Sequence, residues 1–79
     1  MKKGMIVISK SGRDKGHFFV VMKADDECVY IADGKLRKIE NLKKKNIKHL
    51  QHTNIFINLD EVTSNKQLHK KILELTKQC

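Results

Sequence analysis

The side chains of this sequence that point most directly to a function are its lysines and arginines, because cations bind anionic groups. Between the apolar runs MIVI and FFVVM, the segment SKSGRDKGH carries three cations and a single carboxylate, Asp14. The cations are Lys10, Arg13 and Lys15. Cations on a turn bind phosphate oxygens, and Gly12 and Gly16 set the turn and keep side chains out of the way. The alternative is a solvated turn in which Asp14 neutralises one cation.

A second basic block covers residues 35–52, where seven cations face one carboxylate, Glu40. Residues 25–34, between the two blocks, carry four carboxylates and no cation. The net charge of +8 favours a polyanionic partner, with nucleic acid first and an acidic membrane surface second. The members of the second block that we expect to contact phosphates are Arg37, Lys38, Lys43, Lys44, Lys45, Lys48 and His49.

Other constellations are weaker. His49-x-x-His52 has the spacing of metal ligands on a helix, but no CxxC or HExxH motif accompanies it. The carboxylates at 25–27 lack the spacing of a calcium loop and are typical of a solvated turn. No nucleophile–base pair, paired-carboxylate or phosphate-loop pattern is present. We therefore predict a protein that is not an enzyme and holds no cofactor or metal, with an orphan enzyme or a metal sensor as the alternative.

These residues need a scaffold, and 79 residues suffice for one domain. Short apolar or β-branched runs predict five strands. Asp33-Gly34 predicts a hairpin turn between the third and fourth strands. Residues 40–46 have the composition of a solvated loop. Residues 55–59 are predicted to form a further strand or an extended tail. The predicted strands are Met5–Ile8, His17–Lys23, Cys28–Ala32, Lys35–Ile39 and Ile47–Gln51.

The spacing of apolar residues changes near the C-terminus from that of strands to that of a helix. Ser64 and Gln67 form a capping-box pattern, and Leu68, Ile72 and Leu75 follow as one stripe of a helix. The fold class predicted is mainly β: a small five-stranded barrel over residues 1–60, with one C-terminal helix over 61–79 packed on it or appended to it. In such a barrel the turn at 10–16 and the loop at 40–46 share one end, away from the acidic turn at 25–27.

The two cysteines, Cys28 and Cys79, do not form a disulfide framework. The apolar stretch near the N-terminus is only four residues long, too short for a signal peptide, and no run is long enough to span a membrane. We expect a cytoplasmic protein that makes no membrane contact. Phe18 and Phe19 point to opposite faces of their strand, so one belongs to the core and the other is free to be exposed.

The segment from Gly4 through SKSGRDKG to Gly16 resembles the KOW motif. The longer stretches FFVVMKADDECVYIADG and LRKIENLKKKNIKHLQHT are similar to KOW-containing ribosomal proteins of the "fourteen-e" type, and more so to small bacterial KOW RNA-binding proteins. The resemblance covers roughly residues 3–59. It implies an SH3-like barrel that binds RNA, usually ribosomal RNA, through its loops. Ser9 departs from the motif, since many KOW motifs place an inward valine there.

Charge and resemblance together predict an RNA-binding protein, associated with ribosomal RNA or the ribosome, that docks basic loops on the phosphates of structured RNA. Ribosomal proteins are further expected partners, and the free protein is expected to be a monomer. One alternative is an SH3-like protein-interaction module. Its specific version is an accessory factor of transcription elongation or antitermination.

Overall fold

The structure is a computed structural model that describes residues 1–76. In it the chain folds into five strands and one helix. Two 3-10 turns cover Ile47–His49 and Leu59–Glu61. Cys28 is a free cysteine in the third strand, and Cys79 lies outside the described residues. The strands are β1 (Met5–Ser9), β2 (Phe18–Ala24), β3 (Cys28–Ala32), β4 (Lys43–Asn46) and β5 (Leu50–Phe56), and the helix is α1 (Asn65–Thr76).

All five strands belong to one antiparallel sheet in the order β4-β3-β2-β1-β5. The mainly β class, the five strands and the single C-terminal helix are therefore confirmed. The sheet is not closed, because β4 and β5 are its two edges and do not pair within the described residues. The strand pairing therefore shows one open five-stranded sheet, and it does not show the closed barrel that the sequence predicts.

The sheet is nevertheless strongly curled. Four inter-strand gaps of about 4.8 Å would put the edges of a flat five-stranded sheet about 19 Å apart. The edges are joined by Ile47–His49 alone, so Asn46 and Leu50 are four Cα steps apart, a distance of at most about 14 Å even when extended. The connection is a 3-10 turn, which rises only about 2 Å per residue. The edges must therefore approach each other.

Alternating side chains fill both faces of this curled sheet. Val7, Phe19 and Ile31 belong to the cluster inside the curl, while Ile6, Val20 and Ala32 belong to a second cluster that α1 covers. Because neighbouring strand residues point to opposite faces, both faces of β1, β2 and β3 are apolar. This explains why the sequence shows these strands as continuous apolar runs rather than as polar–apolar alternation.

The helix begins as the capping pattern predicts. Ser64 Oγ accepts a hydrogen bond from the Gln67 N–H at 3.2 Å, and Gln67 Oε1 accepts one from the Thr63 N–H at 2.8 Å. Leu68 and Ile72 are 0% and 3% exposed in the cluster against the sheet, as the stripe predicts. Leu75 is 41% exposed, so its predicted burial is wrong. The sheet covers the stripe only as far as Ile72.

Two predicted strands and one loop are wrong. Residues 35–39 form no strand, because the Asp33 side chain and Gly34 wrap the chain into a turn that ends at Arg37. The predicted loop at 40–46 contains β4, which pairs with β3 through its backbone although three of its four residues are lysine. The predicted strand at 47–51 is mostly the 3-10 turn, and β5 begins only at Leu50 and includes the first part of the predicted tail.

Candidate nucleic-acid interface

The lysine run at 43–45 is divided by the two-residue period of β4. Lys43, Lys44 and Lys45 pair with Ile31, Tyr30 and Val29 of β3. Since Ile31 and Val29 face the inside of the curl, Lys43 and Lys45 point that way and Lys44 points to the outer face. Lys44 is exposed, the Lys43 side chain is 29% exposed, and Lys45 is buried. Three adjacent lysines therefore have three different environments.

Lys45 is the most completely engaged of the three. Its Nζ donates to Ser9 Oγ at 2.8 Å, to Asp14 Oδ1 at 2.9 Å and to the Ser11 carbonyl oxygen at 3.0 Å. An ammonium group has three protons, and three acceptors receive them. The sequence predicts a phosphate contact for Lys45, but its ammonium is committed inside the protein, and we exclude it from the interface proposed below.

Asp14 is the centre of this buried network. Its Oδ1 faces Lys45 and accepts from Ser9 Oγ at 2.8 Å, and its Oδ2 faces Lys43 at 3.0 Å. Burial raises the pKa of Asp14, but the hydrogen bonds from Lys45, Ser9 and Lys43 together outweigh it and hold the pKa far below its ordinary value. Asp14 is therefore ionised at neutral pH and ties the loop at 10–16 to β4.

The network gives a physical reason for a serine at position 9, where the resemblance leads us to expect an inward valine. Ser9 is 1% exposed and pairs with Leu50, so it occupies an inward position at the end of β1. A valine there would leave the Lys45 ammonium with two acceptors instead of three. The hydroxyl instead accepts from Lys45 and donates to Asp14. Ser9 thus continues the strand and makes the interior polar at this end.

Beside the network lies an open depression of about 300 Å³ that three cations line. Arg13 comes from the loop at 10–16, Arg37 from the loop at 33–42 and Lys43 from β4. The remaining lining residues are Asp14, Phe19 and Leu36. The fold therefore brings together cations from both basic blocks, as the shared end of the predicted barrel requires. Asp14 is the one counter-charge of both Lys43 and Lys45, so this network keeps one net positive charge, to which the two guanidinium groups add theirs.

Two side chains build the loop that presents Arg37. Asp33 Oδ1 accepts hydrogen bonds from the backbone N–H of Lys35 at 2.9 Å and of Arg37 at 2.8 Å. Asn65, the first residue of α1, accepts from the Ile39 N–H at 2.7 Å and donates to Glu40 Oε1 at 2.5 Å. The loop is thus pinned at one end by its own aspartate and at the other by the helix.

Gly34 allows this loop to lie against the helix. Its φ is +81°, in the region that favours glycine, and a Cβ there would overlap the Asn65 carbonyl oxygen. Gly16, in the other loop, has a φ of +87° but open space around its Cα. Turns are present at both predicted sites, and Gly12 also has positive φ. The predicted hairpin at Asp33-Gly34 is wrong, because the turn leads into a loop and not into a strand.

The other predicted phosphate contacts do not line the depression. The Lys10 N–H donates to the His49 carbonyl at 2.8 Å, which places the loop at 10–16 beside the 3-10 turn. Lys48 lies by the acidic turn, since the backbone carbonyl oxygen of Glu27 accepts a hydrogen bond from the Ile47 N–H at 3.1 Å. The predicted separation of acidic and basic ends is therefore incomplete at this turn. The exposed members of this set are Lys10, Lys15, Lys38, Lys44, Lys48 and His49.

Sequence reasoning missed four residues that build the site. Asn65 accepts from the Ile39 N–H, 26 residues away, and Ser9 accepts from Lys45, 36 residues away, while Asp14 was expected only to neutralise a cation within its own turn. Leu36 was absent from the candidates because it fell within the predicted strand Lys35–Ile39. The inward position of Ser9 in the KOW pattern was the one available signal that a polar partner lies opposite.

A comparison of the chain with protein-family models found no match, and a comparison with curated proteins found no relative. The KOW resemblance therefore stays a prediction. Within residues 1–76, no helix has the length and apolar character needed to cross a membrane. The same residues contain no cluster of three or more histidine, cysteine or acidic side chains arranged around a common point.

Proposed function

We propose that this protein binds structured RNA, with ribosomal RNA as the class that the KOW resemblance implies. The observation that carries the proposal is the depression lined by Arg13, Arg37 and Lys43, three cations from three separate segments of the chain. Two of them are arginines, whose planar guanidinium groups match phosphate geometry and stack on bases. Lys10, Lys15 and Lys38 extend the positive surface on the same two loops.

The curl of the sheet supports an SH3-like barrel that remains open between β4 and β5. The short connection between the edge strands and the apolar cluster inside the curl are what such a barrel requires. An SH3-like barrel presents its loops at the ends of its strands. The two basic loops, at 10–16 and 33–42, are placed in this way and each is held by a buried aspartate.

A protein-interaction role is the second candidate, and Phe56 favours it. Phe56 is 49% exposed and lies on β5, an edge strand that a peptide could extend. The specific form of this protein-interaction role would be an accessory factor in transcription elongation or antitermination. A module of this kind would bind its partner without the steep salt dependence of phosphate contacts, so the experiment below separates the two candidates.

The test measures the affinity of the protein for a structured RNA hairpin over a series of salt concentrations, by fluorescence anisotropy. Each phosphate contact contributes roughly 0.7–0.9 to the log–log salt slope. Reversal of both guanidinium charges in Arg13→Glu/Arg37→Glu should therefore reduce the slope by about 1.5 or more. Lys45 is left intact, because reversing a buried ammonium would test folding instead of binding.

A matched control has the same change in net charge elsewhere. Lys66 and Lys70 are exposed on α1, and neither lines the depression. Lys66→Glu/Lys70→Glu should leave the salt slope close to that of the wild type. Equal losses in the two double variants would show that the protein responds to total charge only and has no interface at the depression. Absence of salt-dependent RNA binding in the wild type would refute the function itself.

A further inference from the structure

The cation-lined depression adjoins a groove of mixed polar and apolar lining, and the two share Leu36. Leu36 is 53% exposed and lines both concavities. The groove lies between the loop at 33–42, the start of β2 and the helix. Half of its lining is apolar, from Phe18, Leu36, Ile72 and Leu73, and half is polar, from His17, Asp33, Lys35 and His69. Cationic and apolar side chains therefore meet at Leu36.

The exposure of Leu36 follows from the construction of its loop. The backbone on both sides is held by Asp33, which is itself 6% exposed and accepts from the N–H groups of Lys35 and Arg37. Asn65 fixes the same loop three residues after Leu36. A single exposed leucine is ordinary on a protein surface. A leucine that a fixed turn holds beside two guanidinium groups and a partly apolar groove indicates a ligand with an anionic part and an apolar part.

We propose that the depression and Leu36 together bind one unstacked nucleotide of the RNA, such as a bulged residue. The phosphate lies on Arg13 and Arg37, and the base lies against Leu36 at the mouth of the groove. The proposal rests on the RNA-binding function and specifies which RNA structure is recognised. It follows from charge complementarity and from size, since about 300 Å³ is at the lower limit for small-molecule sites and does not admit a duplex.

A regular duplex offers the depression phosphates only, because its bases are stacked inside. Single-stranded loops and bulges instead present bases that side chains and guanidinium planes can contact. The salt slope counts the phosphate contacts, which both RNA forms offer. A contact with the base should consequently raise the affinity for bulged RNA without changing the salt slope.

The experiment compares two RNA hairpins that differ by one bulged nucleotide, with the full-length protein and with Leu36→Ser. The wild type should bind the bulged hairpin about tenfold more tightly than the paired one, the factor expected from one buried leucine-sized contact. Leu36→Ser should reduce this preference to less than about twofold, whereas Leu75→Ala should leave it close to tenfold. Leu75→Ala is the matched control, because Leu75 is 41% exposed on α1 and lines neither concavity.

Equal binding of the two hairpins by the wild type would overturn the nucleotide site and leave RNA binding intact. Absence of binding to both would refute the proposed function instead. A preference that persists in Leu36→Ser would place the bulge elsewhere and also overturn the inference. If an aspartate-rich peptide containing leucine bound more tightly than the bulged RNA, and lost this affinity in Leu36→Ser, the depression would belong to a protein partner.

Discussion

Two loops present the arginines of the depression, and each is organised by a buried aspartate in a different way. In the loop at 10–16, Asp14 bonds to Lys43, Lys45 and Ser9, two of which lie about thirty residues away in the sequence. In the loop at 33–42, Asp33 bonds to the backbone N–H groups of Lys35 and Arg37, two and four residues away. One aspartate makes buried ion pairs and the other makes a local turn.

The difference determines how much each loop depends on the rest of the fold. A carboxylate that accepts from neighbouring N–H groups forms its turn with few distant partners. A buried ion pair requires both partners, because removal of one leaves an uncompensated charge in a poorly solvated place. The loop at 10–16 is therefore expected to be the more sensitive of the two to substitution of its aspartate.

The largest expected effect is that of Asp14→Asn. The substitution keeps the shape of the side chain but leaves the Lys45 ammonium, in a residue that is 8% exposed, without its counter-charge. We expect the free energy of unfolding to fall by about 3–5 kcal/mol, measured by urea denaturation. Asp33→Asn is the comparison, and should cost about 1 kcal/mol or less because the amide oxygen still accepts the two N–H bonds.

A double variant tests the reason for the loss. Asp14→Asn/Lys45→Met removes the buried charge together with its partner, and a methionine of similar length fills the space. The double variant should recover at least half of the lost stability. If it is less stable than Asp14→Asn alone, or if Asp33→Asn costs as much as Asp14→Asn, the distinction between the two loops is wrong.

The next effect concerns the glycines of the same two loops. Both Gly16 and Gly34 have positive φ, which costs an alanine roughly 1–2 kcal/mol. At Gly16 nothing lies near the new Cβ, so Gly16→Ala should cost no more than this strain. At Gly34 the Cβ also overlaps the Asn65 carbonyl oxygen, and Gly34→Ala should cost at least about 3 kcal/mol. Thermal unfolding of both variants measures the difference, and equal losses would contradict the close approach of the loop to α1.

The smallest effect is the pH dependence that Asp14 contributes to stability. Its folded-state pKa is lowered, so its stabilisation is present above the unfolded pKa of about 3.9 and is lost as the pH falls below that value. The difference in unfolding free energy between the wild type and Asp14→Asn should be constant from pH 7 to about 5 and then shrink toward pH 2.5. Urea midpoints of both proteins across this range provide the measurement. A difference that stays constant down to pH 2.5 would mean that Asp14 is not held as an ion.

Several features of this protein follow from local sequence. The first three strands are runs of β-branched and aromatic residues, and β3 matches its predicted bounds residue for residue. The helix start follows from Ser64 and Gln67, whose side chains bond within their own turn. The two basic blocks are also visible in the sequence, because charge is a property of composition. In each case the decisive interactions are local or need no partner.

The remaining features depend on partners that are distant in the chain. Asp33-Gly34 turns the chain locally as far as Arg37, but the path of the rest of the loop depends on the helix, because Asn65 accepts from the Ile39 N–H. The sequence KKKN has the composition of a loop, yet it is a strand because β3 offers a free edge for its backbone. The same pairing divides the lysines, so that Lys45 stabilises the interior while Lys43 lines the depression. Tertiary structure decided the conformations and environments of these residues, because each depends on a hydrogen-bond partner or a counter-charge that the neighbouring residues do not supply.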